Sequence, residues 1–122
     1  MSQYATTIPR PAIPYARVVG AVVEHYRKRR SITQEAIAKA VGVSQSAYSR
    51  LEQGQSAMNV VQLRAIAVQL GLTPDAIVRD AEGYAAQLQQ QGVQITDAMP
   101  DSAAGVLIAL GILAALVAAT KS

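Results

Sequence analysis

Cysteine is absent from the 122 residues, and histidine occurs once, as His25. The first absence excludes a disulfide framework and thiolate chemistry, and it points to a reducing compartment. The second leaves too few ligands for an ordinary zinc site, because the carboxylates are scattered. There is no Ser, His and acid arrangement, no metal-ligand cluster and no phosphate-cradling Gly-Lys signature. An enzyme is therefore not expected, and neither is a metal or any other cofactor. The opening stretch MSQYATTIPRPAIPYA lacks a basic start followed by a continuous apolar core, so no signal peptide is expected and the N-terminal half should stay where it is made.

A chain of this length has room for one ordinary domain plus an appendage, since a single core usually organises about 100 to 150 residues. Its formal net charge of +3 is unevenly spread. Residues 1–73 hold nine Lys or Arg against three Glu, whereas residues 74–122 hold Arg79 and Lys121 against five acids. The first part attracts a polyanion and the second largely does not.

Residues 1–17 include Pro9, Pro11 and Pro14, which remove amide donors and disfavour helical geometry just before each ring. They are expected to form an extended arm that acts as a tether or a subunit contact. From Val18 the apolar positions Val18, Val19, Val22, Val23 and Tyr26 recur at helical spacing, ahead of the basic run Arg27 to Arg30, which suits the negative end of a helix dipole. Thr33 is placed to cap a second helix that buries Ala36, Ile37 and Ala40, and Gly42 to end it. Ser44 caps a third over residues 44–53, with Tyr48 and Leu51 turned inward, and Gly54 stops it. A fourth helix from about Asn59 to Leu70 buries Leu63, Ile66, Ala67 and Leu70 before Gly71. Thr73 and Pro74 open a fifth, whose stripe of Ile77, Ala81, Tyr84 and Leu88 continues past a weak point at Gly83. The helical domain is thus expected over residues 18–90. Residues 91–101 lose the periodicity and form a linker, in which GVQIT pairs as a strand if a partner exists.

Two short helices joined at Gly42 and Val43 let the first support the second across a phosphate backbone and project the outer face of the second into a major groove. That outer face carries Ser44, Gln45, Ser46, Ser49, Arg50 and Gln53, with no acid to repel phosphate. Gln bonds bidentately to adenine, Arg to guanine, and Ser donates or accepts at either strand, so Gln45, Ser46, Ser49 and Arg50 are the expected base contacts. Arg17 either meets a phosphate or solubilises the first helix. His25 is expected to be a surface residue.

The stretch TQEAIAKAVGVSQSAYSRLEQG, residues 33–54, resembles the helix-turn-helix of phage repressors and Cro, the XRE family, and the resemblance extends from about Val18 through Ile77. It implies an all-α, five-helix, lambda-repressor-like domain that binds double-stranded DNA. It also implies that Gln34 anchors a phosphate, joined in the expected set of phosphate contacts by Ser44, Arg17, Lys39 and Tyr48. The phenol of Tyr48 either reaches a phosphate at the domain edge or packs against Val43, where the family commonly has Leu, Ile or Val. Arg27 and Glu52 match the basic residue late in helix 1 and the Glu ending the recognition helix, a structural pair that removes Glu52 from any catalytic reading. The segment from Gln55 to Asn59 departs from the family in lacking basic residues.

After the linker the composition changes abruptly to SAAGVLIALGILAALVAAT, residues 102–120, uncharged throughout. Nineteen helical residues span roughly 28.5 Å at about 1.5 Å each, close to a hydrocarbon core of about 30 Å. Two readings of residues 102–122 stay open. One is a membrane anchor in contact with lipid, holding the DNA-binding part at the cytoplasmic side of the inner membrane. The other is the core helix of a soluble homo-oligomer. Gly105 and Ala109, and Gly111, Ala115 and Ala119, recur four apart and permit close helix contact in either setting. The expected function is a sequence-specific, cytoplasmic or nucleoid-associated transcription regulator. It binds a partly palindromic operator as a homodimer or larger assembly, with a protein co-regulator as a further candidate partner. The competing reading is a membrane-linked assembly factor that uses the helical domain to recognise protein.

Overall fold

The computed structural model describes residues 9–120. Its elements run β1 (Ala12–Pro14), α1 (Tyr15–Arg29), α2 (Gln34–Val41), α3 (Gln45–Glu52), α4 (Val60–Leu70), α5 (Pro74–Gln90), β2 (Gln94–Thr96) and α6 (Ala103–Ala118). The five helices expected from periodicity are present, and their ends follow local chemistry. Thr33 Oγ1 accepts from the amide of Ala36, Ser44 Oγ from Ala47, and Asn59 forms a reciprocal capping box with Gln62. Gly42 closes α2 at φ +85°, a left-handed conformation that costs a residue with a Cβ. Pro74 fills the first turn of α5, where its missing N–H is harmless, while Thr73 makes no side-chain cap. Gly83 does not interrupt α5.

One core gathers the apolar stripes. Val18, Val22 and Val23 of α1, Ile37 of α2, Tyr48 and Leu51 of α3, Ile66, Ala67 and Leu70 of α4, and Ile77, Ala81, Tyr84 and Leu88 of α5 are all buried together. Two details of the expected core change. On α2 the buried alanine is Ala38, while Ala36 and Ala40 are exposed, because α2 packs chiefly on α3 and α4 and turns a narrow face inward. Leu63 is half-buried.

The proline-containing arm and the linker are where the structure departs most from expectation. Residues 15–17 belong to α1, and Ala12–Pro14 form a strand buried on all three residues. β1 pairs in parallel with β2 in the register Ala12 to Gln94, Ile13 to Ile95 and Pro14 to Thr96. GVQIT thus has its partner, supplied by the arm itself. Two three-residue strands would not hold alone; what fixes them is Ile13, fully buried, and Val93, which enters the same core beside Leu88. The part of the arm before Pro9 lies outside the described residues.

The apolar tail folds back onto the helical domain. α6 has 16 residues, roughly 24 Å at about 1.5 Å per residue, and no helix among the described residues is long and apolar enough to cross a membrane. It packs on β1, α5 and α1, where Ala109 and Leu113 join the core. Gly105 is needed for that packing, since a Cβ there would run into the carbonyl oxygen of Arg10. The small residues spaced four apart therefore separate into two sets. Gly105 and Ala109 are buried within the chain, whereas Gly111, Ala115 and Ala119 are exposed.

Candidate nucleic-acid interface

The orientation of α3 is fixed by a buried charge cluster at its C-terminal end. Glu52 is fully buried, and each of its carboxylate oxygens accepts two hydrogen bonds. Oε2 accepts from Arg27 Nε at 2.6 Å and Tyr48 Oη at 2.6 Å; Oε1 accepts from Arg27 Nη2 at 3.1 Å and Gln34 Nε2 at 3.0 Å. Burial alone would raise the Glu52 carboxyl, but the hydrogen bonds from Arg27, Tyr48 and Gln34 outweigh it and hold the group below its ordinary value. Arg27 extends the cluster by donating from Nη1 to the carbonyl of Ile32 at 2.9 Å. One carboxylate thereby joins α1, α2 and α3. No buried side-chain polar atom among the described residues lacks a partner, the condition under which a buried ion pair is tolerable.

Backbone contact reinforces this junction. Arg17 Nη1 donates to the Glu52 carbonyl at 2.9 Å, and its Nη2 lies 3.5 Å from Glu24 Oε1. Gly20 faces the same carbonyl so closely that a Cβ would overlap it. α1 therefore crosses the end of α3 at a separation only glycine permits.

Two expected phosphate contacts are corrected by this geometry. Tyr48 is fully buried and its hydroxyl is committed to Glu52, so it does not lie at the domain edge. Burial raises its pKa first, and the Glu52 hydrogen bond adds to that. The Arg17 side chain is 15% exposed and spends its guanidinium on Glu52 and Glu24. A sequence signal for this was present, since Glu24 stands seven residues after Arg17, on the same helical face. Gln34 is half-buried and gives one amide hydrogen to Glu52, leaving the other for a ligand. The pair Arg27 and Glu52 forms as expected.

The remaining residues lie where the outer face requires. Gln45, Ser46 and Arg50 of α3 are exposed, Ser49 is half-buried, and Ser44 is exposed at the cap with its hydroxyl 3.3 Å from that of Ser46. Lys39 is exposed on α2, and Lys28, Arg29 and Arg30 are exposed at the end of α1. The only acid of α3, Glu52, is the buried one. The result is a short helix of eight residues offering neutral hydrogen-bonding groups and one guanidinium, whose diameter of about 10 to 12 Å with side chains suits a major groove about 12 Å wide. Sequence reasoning missed that Tyr26 donates to Asp80, a link that ties the end of α1 to α5. His25 is half-buried beside it, and burial together with Arg29 lowers its pKa against an opposing effect of Asp80.

Comparison with known proteins agrees with this geometry. Residues 23–77 match the helix-turn-helix family model HTH_3. Two crystal structures of the clp gene regulator ClgR from Corynebacterium glutamicum are similar to the chain at 25% identity. One superposes with a TM-score of 0.60 over 63% of this chain and 82% of that one, and the other with 0.54 over 57% and 90%. No curated protein gives a significant sequence match. The capped turn at Gly42, the exposed acid-free face of α3 and the buried Arg27–Glu52 pair thus coincide with the matched segment, and the chain carries a DNA-binding helix-turn-helix domain of the phage-repressor and Cro, or XRE, type.

Proposed function

We propose that this chain is a sequence-specific transcription regulator that binds a partly palindromic operator as a homo-oligomer in the cytoplasm, at the nucleoid. The observation that carries the reading is the exposed, acid-free face of α3, held rigidly by the cluster around Glu52. On this reading Gln45, Ser46, Ser49 and Arg50 meet base edges, while Gln34, Ser44 and Lys39 meet phosphates. The likeness to a protein named as a gene regulator supports a regulatory rather than a purely architectural role.

Self-association is assigned to the exposed side of α6, where Gly111, Ala115 and Ala119 line up with Ala104 and Ile108 and no charge interrupts them. Two copies related by a two-fold axis would place their recognition helices about 34 to 36 Å apart, one turn of the duplex. The test is selection from a random duplex library at low ionic strength. An enriched, inverted-repeat sequence whose affinity falls steeply with salt is the expected result. Absence of any enriched sequence would refute the assignment.

A further inference from the structure

We propose that the cleft between α1 and α6 binds an amphiphilic anion, an alkyl chain ending in a carboxylate. The cleft has a volume of about 510 Å³, within the range of about 300 to 1,000 Å³ typical of small-molecule sites. Its two walls differ in chemistry. α6 contributes Leu110, Ala114 and Val117, from a helix without a single charged or polar side chain. α1 contributes Lys28 and Arg29, together with Glu24.

Charge decides the sign of the ligand. Glu24 is shared, its Oε1 lying 3.5 Å from Arg17 Nη2 and its Oε2 3.5 Å from Lys28 Nζ. Arg29 makes no salt bridge among the described residues and is exposed. With Arg17 committed to the Glu52 carbonyl and Glu24, Lys28 and Arg29 are the cations left for a ligand, opposite a wall that is hydrocarbon apart from Thr120 at its end. A plain alkane would leave the cations unused. A polar anion such as inorganic phosphate would leave Leu110 and Val117 facing water. A chain that is apolar along its length and negative at one end satisfies both walls. The cleft also communicates with the DNA-reading part, because Arg17 lines it and donates to the backbone of Glu52.

The experiment is calorimetric titration of the full chain with decanoate, decan-1-ol and decyltrimethylammonium, each kept below its micelle-forming concentration. Decanoate should saturate at one per chain and bind at least tenfold more tightly than the cation of equal tail length. Lys28→Gln combined with Arg29→Gln should weaken decanoate at least fivefold and leave decanol unchanged, and Ala114→Trp should abolish binding of all three. All three positions are exposed; circular dichroism tests whether each variant is folded, and if Ala114→Trp is not, the charge variant alone decides. Equal affinity for the three amphiphiles would mean adsorption on the apolar side of α6 and would overturn the proposal. So would decanoate binding that the charge variant leaves unchanged, or no binding at all.

Discussion

At the scale of single residues, Glu52 does two jobs that separate experimentally. Tyr48→Phe removes one of four donors to a buried carboxylate without opening a cavity, and should cost about 1 to 3 kcal/mol of unfolding free energy in a denaturant titration. Arg27→Ala leaves the charge unpaired and should cost more, about 3 to 5 kcal/mol. By contrast, Gln45→Ala should leave unfolding unchanged and weaken the best DNA site by about 1 to 3 kcal/mol while altering base preference. Equal losses on matched and mismatched duplexes would show that Gln45 does not read a base. The carboxyl also sets an acid limit. Because the folded pKa of Glu52 is depressed below 4.5, its contribution is complete above that value and is lost as pH falls toward the lower, folded one. Thermal midpoints followed below pH 5 should therefore drop, and Glu52→Gln, though less stable at neutrality, should show a shallower slope.

Elements were legible in the sequence to the extent that their signals are local. Caps at Thr33, Ser44 and Asn59, stops at Gly42 and Gly71, and the stripe from Ile77 to Leu88 are written into neighbouring residues, and the helices follow them. β1 was not legible, because its partner lies about 80 residues away and three prolines point to an extended arm serving as a tether or a subunit contact. Arg17 is half legible: Glu24 lies on its own helical face, whereas the Glu52 carbonyl that it also meets comes from α3. Two glycines test these local and distant constraints separately. Gly42→Ala meets open space and pays only for its left-handed backbone, about 1 kcal/mol. Gly20→Ala has ordinary helical torsions but drives a methyl group into the carbonyl of Glu52, so it should destabilise far more and disturb DNA binding in whatever fraction remains folded. Chemical denaturation ranks the two.

On the scale of the whole molecule, α6 is both a wall of the core and a helix that carries no charged side chain. Chain termination after Asp101 should expose the side chains that Ala109 and Leu113 cover, lower the thermal midpoint, and convert an oligomer to a monomer in sedimentation. Ala115→Glu leaves the inner side of α6 intact and should abolish self-association with little change in stability. If the truncated chain unfolds, the Ala115→Glu result still separates the two roles. Operator affinity measured for Ala115→Glu then reports how much of the recognition depends on pairing.

The union of Ala12 with Gln94 has a consequence for biosynthesis. A ribosome releases the recognition helix early, yet the groove in the core that receives Ile13 is not closed until Val93 and, later still, Leu113 have emerged. Closure of the core around Ile13 therefore waits for α6, and a product ending before Ala103 would keep the Glu52 cluster but lack one wall of that core.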